Sequence, residues 1–249
     1  MARFVLVHGA FSGAWVWERV ADELRSAGHT VEAFDLPGSG DDQTPPEGVT
    51  LDAYANRICD ALAESDEPAI LVGHSMGGVA ITQAAGRSPK RISLLVYVAA
   101  FMPQHGQSLL DLTHTPEGQD DQVQANLVVE GDPPMATLPV AAARDVLYAS
   151  CTDEQAAWAG ARMRPQAVAP FATPVLIDDA RSYALPRAYV ICNQDRAIPP
   201  ALQRRMISET PCAEVIELDT DHSAWLSATD EVVTALGRLA EVPAVSNVD

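Results

Sequence analysis

The sequence predicts an α/β fold: a mostly parallel central sheet flanked by helices, with a helical cap inserted after the strand at residues 92–99. Three observations carry this. Short apolar runs rich in β-formers recur at 2–7, 69–73, 92–99 and 187–192, as expected of strands buried on both faces. Stretches with apolar residues at helical spacing lie between the early runs, so strand and helix alternate. From about 103 to 184 the alternation stops, no strong strand is visible, and the stretch is too long to be a loop.

The elements follow in order. Residues 2–7 form a first strand, and His8-Gly9-Ala10-Phe11-Ser12-Gly13 a loop after it. A helix is expected over 14–27, with Trp17, Val20 and Leu24 on one face and Gly28 as its stop. A second strand covers 30–34, a turn 35–40 and an exposed loop 41–48. Residues 51–64 have helical spacing; strand 69–73, a turn at Ser75, helix 76–87 and strand 92–99 come next. The inserted cap spans about 103–184, with helical pieces expected at 105–112, 119–130, 139–149 and 153–163. The sheet resumes at 187–192, followed by helix 200–208, strand 213–218 and helix 229–239. This makes 1–241 one domain, with core 1–102 and 185–241, and leaves 242–249 as a C-terminal tail.

Composition narrows the function. A 249-residue chain with 47% hydrophobic residues can bury a large core. Its net charge of -18, from 34 acidic and 16 basic residues, argues against nucleic acid and anionic membrane as partners. No apolar run is long enough to span a membrane, and residues 4–7 are too short for a signal peptide's apolar region. Cys59, Cys151, Cys192 and Cys212 are scattered, which fits buried thiols in a reducing compartment. No metal-ligand spacing and no G-x-G-x-x-G fingerprint is present, so neither a metal nor another cofactor is expected.

Gly73-His74-Ser75-Met76-Gly77 matches G-x-S-x-G, preceded by a strand and followed by a helix. Gly73 and Gly77 remove side chains where the turn crowds its neighbours, and Ser75 can then hold a strained conformation that exposes its hydroxyl. A Ser N-cap in a glycine-rich turn would look similar, but the strand–turn–helix context favours a nucleophile. In an open α/β sheet the site forms at the carboxyl ends of the strands. Asp195 follows the strand at 187–192, and His222 follows the strand at 213–218. Ser75, Asp195, His222 is the chain order of an α/β-hydrolase triad. A serine hydroxyl needs a base to take its proton, which His222 supplies; Asp195 orients the ring and stabilises its cation. Asp178, Asp179, Asp219 and Asp221 compete for the last role, but two lie in the cap and two sit too near His222 in sequence. The backbone N–H groups of Met76 and Ala10 are the expected oxyanion donors, and His8 is expected to brace the loop after the first strand rather than act in catalysis.

These motifs together resemble one branch of the α/β-hydrolases. Residues 8–17, Gly73-His74-Ser75-Met76-Gly77-Gly78 and Ala99-Ala100-Phe101-Met102-Pro103 are similar to the plant methylesterase and hydroxynitrile lyase group. Cys151-Thr152-Asp153-Glu154, Arg164-Pro165 and Asp221-His222 extend the likeness over nearly the whole chain. The resemblance implies the same triad and oxyanion hole, a cytoplasmic location and a possible homodimer. Lyases of the group tend to carry threonine at the Gly9 position, glutamate at His74 and a lysine cation at Ser223. All three departures imply an esterase-type member.

The expected activity is a cofactor-free serine hydrolase, cleaving a carboxylic ester or related acyl bond of a small, fairly apolar molecule. A lyase or other non-hydrolytic enzyme on the same triad is the alternative, with a low-turnover binding protein behind it. Phe11, His74, Trp158 and Trp225 are the candidate substrate contacts. Trp15, Met102, Leu109, Leu112, Leu127, Val128 and Met163 fit either a pocket lining or packing core.

Overall fold

A computed structural model describes residues 1–241; the expected tail at 242–249 lies outside the described residues. In chain order the first half holds β1 (Arg3–Val7), a 3₁₀ turn at Ala14–Trp17, α1 (Glu18–Ser26), β2 (Thr30–Ala33), α2 (Leu51–Ala63), β3 (Ala69–Ser75), α3 (Gly77–Ala85) and β4 (Ile92–Ala100). The segment after β4 holds α4 (Leu109–Thr113), α5 (Gln122–Asn126), β5 (Val128–Glu130), β6 (Met135–Thr137), α6 (Val140–Val146), α7 (Asp153–Gly160), β7 (Gln166–Ala167) and α8 (Ala169–Ala172). The chain closes with β8 (Arg187–Cys192), α9 (Pro200–Glu209), β9 (Glu214–Leu218), α10 (Ala224–Ser227) and α11 (Thr229–Leu239).

Six strands form the main sheet in the order β2-β1-β3-β4-β8-β9, and every neighbouring pair is parallel. Parallel pairing puts the carboxyl ends of β1, β3, β8 and β9 on one edge, where the candidate residues were expected. The inner strands read as continuous apolar runs because both faces are covered: every residue of β1 is buried, and eight of the nine in β4. Edge strand β9 instead alternates half-buried and exposed residues. α1 packs with α11, and α2 with α3. α3 is buried along its whole length, which its glycines, alanines and short branched side chains permit.

Local caps hold the frame. The Thr50 hydroxyl accepts the Ala53 N–H at 3.0 Å to start α2. At its other end the buried Arg3 guanidinium, carried by β1, donates to the Ala61 and Leu62 carbonyls at 2.5 and 3.2 Å. A cation on the last carbonyls satisfies orphan acceptors and complements the helix dipole.

The segment between β4 and β8 differs from the sequence expectation. It is not all helical: β5, β6 and β7 form a small antiparallel sheet, and the piece expected at 119–130 is α5 followed by β5. Gly131-Asp132-Pro133-Pro134 turns the chain back between β5 and β6, and Val128 and Val129 are exposed. The piece expected at 153–163 stops at Gly160.

Candidate active site

β3 is buried up to Ser75, where the backbone takes a φ of 56° before α3 starts at Gly77. That left-handed conformation is strained for a residue with a side chain. The flanking glycines let the turn close. A Cβ on Gly73 would stand 2.8 Å from the Gly77 carbonyl carbon, and one on Gly77 would stand 2.7 Å from the His8 carbonyl oxygen.

Past β8, the Asp195 carboxylate is buried and fully engaged. Its Oδ1 accepts the Ala197 and Ile198 N–H groups at 2.7 and 2.9 Å. Its Oδ2 accepts Gln203 Nε2 at 3.2 Å and His222 Nδ1 at 2.8 Å. Donors from three directions hold the carboxylate in one orientation. His222 Nδ1 carries the donated proton, so Nε2 of the neutral ring is left as an acceptor. Burial pulls the His222 pKa down, but Asp195, by charge and hydrogen bond, with Asp221 and Asp121 behind it, more than offsets this and raises it. Three of the four competing carboxylates are engaged elsewhere. Asp221 accepts the Ser150 N–H at 2.7 Å and the Ser227 hydroxyl at 2.6 Å, Asp219 accepts Gln194 Nε2 at 2.9 Å, and Asp179 pairs with Arg181.

Two other histidines are structural. Leu36 N–H donates to His8 Nε2 at 3.0 Å, so Nδ1 bears the proton and donates to the Gly9 carbonyl at 2.8 Å. His8 thereby ties the loops after β1 and β2 together; burial lowers its pKa and keeps it neutral. His74 lies beneath the site, where its Nε2–H donates to the His222 carbonyl at 2.9 Å and its Nδ1 has no partner among the described residues. Burial, with the nearby His222, lowers its pKa well below the usual value.

Ser75, His222, Ala10 and Met76 line one cavity of about 580 Å³, its mouth included. No hydrogen bond joins Ser75 to His222 among the described residues; contacts of this kind often tighten only with substrate present. Among the described residues the Ala10 and Met76 N–H groups enter no turn, loop or side-chain hydrogen bond. Phe11, His74 and Trp225 also reach this cavity, as do Leu109 and Leu127. Trp158 does not. It stands edge-on to Trp15, ring centroids 5.3 Å apart, in a separate surface hollow beneath the Arg162 guanidinium. Nor do Met102, Leu112, Val128 and Met163 line the cavity: Met102 and Leu112 are buried core, and Val128 is exposed.

Sequence reasoning missed several lining residues: Asp121, Val123, Gln124, Leu147, Tyr148 and Phe171. All belong to the segment between β4 and β8, where no motif marks which side chains turn inward. All four cysteines carry free thiols, and burial pushes Cys151 up to about 12 and Cys212 to about 11. Among the described residues no group of three or more His, Cys, Asp or Glu could hold a metal ion, and no helix is long and apolar enough to cross a membrane.

This sheet order and strained serine turn define a known class, and residues 4–235 match the model of the alpha/beta hydrolase family. The chain belongs to that family. Within it, the similarity is to plant methylesterases. Methylesterase 7 of Arabidopsis thaliana is 31% identical, over 96% of this chain and 96% of that protein. Salicylic acid-binding protein 2 of Nicotiana tabacum is 32% identical, over 95% and 96%. The crystal structure of polyneuridine aldehyde esterase superposes with a TM-score of 0.85 at 27% identity, covering 97% of this chain and all of that one. At family level, then, the chain is a carboxylic ester hydrolase.

Proposed function

We propose that this chain is a serine esterase that cleaves a carboxylic ester of a small, fairly apolar molecule through an acyl-enzyme on Ser75. One observation carries the reading: the His222 ring, fastened through Nδ1 to a buried Asp195, opens onto the same cavity as a serine held at a φ of 56°. His222 Nε2 takes the Ser75 proton as Oγ attacks the ester carbonyl carbon. The carbonyl oxygen becomes an oxyanion, received by the Ala10 and Met76 N–H groups; one such donor is worth about 3 kcal/mol. Collapse of the adduct expels the alkoxide, which His222 protonates, and leaves the acyl group on Ser75. Water, deprotonated by the same nitrogen, then attacks the acyl carbon and releases the acid.

The segment between β4 and β8 serves as a cap in this reading, since it supplies the cavity's apolar side: Leu109, Val123, Leu127 and Phe171. The small apolar substrate follows from that lining, and the methylesterase relatives place methyl esters first in a screen. At the positions that separate lyases from esterases in this group, the structure supports hydrolysis. A Cβ on Gly9 would stand 2.7 Å from Ser75 Cβ, which leaves no room for threonine, and the buried Ser223 supplies no cation to a departing cyanide. Four free thiols fit a reducing compartment such as the cytoplasm.

The test is a hydrolysis screen of methyl and aryl esters with wild-type protein and Ser75→Ala, alongside labelling by a fluorophosphonate. Turnover and labelling in the wild type, both lost in Ser75→Ala, are expected. Cyanohydrin cleavage without ester cleavage, or an active Ser75→Ala protein, would sink the reading.

A further inference from the structure

One wall group of the cavity has no part in the chemistry described above. Asp121 is 5% exposed and caps the five-residue α5. The cap uses only one of its oxygens: Oδ1 accepts both the Val123 N–H at 2.8 Å and the Gln124 N–H at 3.1 Å. Among the described residues Oδ2 accepts nothing. A serine or threonine would cap as well with a single oxygen, so the helix start does not account for the second one. Asp121 lines the cavity together with the apolar Leu109, Val123, Leu127, Phe171 and Ile198; Ser12, Gln124 and Tyr148 add polar side chains to the same lining.

We propose that Asp121 reads the substrate: its free Oδ2 hydrogen-bonds a hydroxyl carried by the ester away from the scissile bond, so the preferred substrates are hydroxylated esters. This rests on the reading that Ser75 and His222 cleave esters in this cavity. The apolar part of the wall accepts the carbon frame, and the uncommitted Asp121 oxygen sets where a hydroxyl of the substrate falls. Burial pushes the Asp121 carboxyl up to about 7; its two amide bonds and His222 oppose the rise, and Asp195 adds to it. Near neutral pH the oxygen therefore serves as acceptor in one state and donor in the other. A hydroxyl satisfies both states, an ammonium group only the ionised one, and a hydrocarbon neither.

Matched methyl phenylalkanoates, with and without a ring hydroxyl at each position and with a ring aminomethyl group (an ammonium at pH 7) in its place, test this at pH 7 on the full chain. Wild type should prefer one hydroxyl position by about tenfold or more in kcat/KM, the size of one good hydrogen bond. Asp121→Ser keeps a capping oxygen but withdraws the second, and should bring that ratio close to one. Asp121→Asn keeps a polar group in place and should retain most of the preference. No preference in the wild type at any position, an amine preferred over the hydroxyl, or an unchanged ratio in Asp121→Ser would overturn the proposal. Ser75→Ala separates the two readings. If it abolishes turnover while the hydroxyl preference fails to appear, only the role of Asp121 falls; if it remains active, the underlying esterase reading fails.

Discussion

His74 holds the backbone of His222: its Nε2–H reaches the His222 carbonyl at 2.9 Å, across 148 residues of chain. The serine's neighbour in sequence thus supports the proposed base from below. Removing the donor leaves a buried carbonyl unpaired, at a cost of about 1–3 kcal/mol. His74→Leu should lower stability to denaturant by about that much and reduce kcat more than it changes KM. Paired unfolding and steady-state measurements check this. An unchanged kcat would mean that the ring only fills space.

Asp195→Asn should reduce kcat by about three to four orders of magnitude while the protein stays folded, because the amide no longer fixes the proton on Nδ1. The buried amide keeps a carbonyl oxygen for the Ala197 and Ile198 N–H groups, so loss of activity with an unchanged melting temperature is the expected pair of results. An active Asp195→Asn enzyme would move the orienting role to another carboxylate.

Acid should silence the enzyme. Burial lowers the His222 pKa, and Asp195, Asp221 and Asp121 together more than reverse this, so it lies above 6.5. In the proposed mechanism His222 works unprotonated. Activity is therefore full at pH values above that raised pKa and is lost as the pH falls through it. A kcat/KM profile should show its acid limb above 6.5, and Asp195→Asn should move that limb downward. His74 adds no second limb there, since its pKa lies well below 6.5.

Gly9 has no room for a side chain. A Cβ there would lie 2.7 Å from Ser75 Cβ and 3.1 Å from the His74 carbonyl. Gly9→Ala must push the loop after β1 away from the serine, with an overpacking cost of about 1–3 kcal/mol. It should also slow fluorophosphonate labelling of Ser75 by about tenfold or more, because displaced oxyanion donors stabilise less. Equal labelling rates in the two proteins would place the donors elsewhere.

Trp158 gives a contrasting case, because it packs on Trp15 outside the cavity. Trp158→Ala should lower the melting temperature yet leave kcat/KM for small methyl esters within about threefold, as befits packing loss remote from the reacting groups. A large change in KM would return Trp158 to the substrate contacts.

How much could be read in advance follows from what each part is built of. Strands buried on both faces leave an unbroken apolar run, so β1, β3, β4 and β8 were visible, and the loops at their carboxyl ends followed from topology. The tight turn at Ser75 was marked by glycines that nothing else could replace. The segment between β4 and β8 left weaker signals. β5, β6 and β7 are two or three residues long, too short for any period to register. Whether Asp121 or Asp120 turned inward depended on how α5 docks, and neighbouring acids look alike in a sequence. Trp158 was misplaced for the same reason: a large aromatic packs equally well beside a cavity or within its wall.

Asp221 joins distant parts of the chain at a sensitive spot, one residue before the ring that Asp195 orients. With one oxygen on the Ser150 amide and the other on Ser227, it acts as a rivet between the segment that joins β4 to β8 and helix α10. Moving that segment away at this point would tug on the proposed base, so any opening that admits substrate without disturbing His222 must leave this rivet fastened.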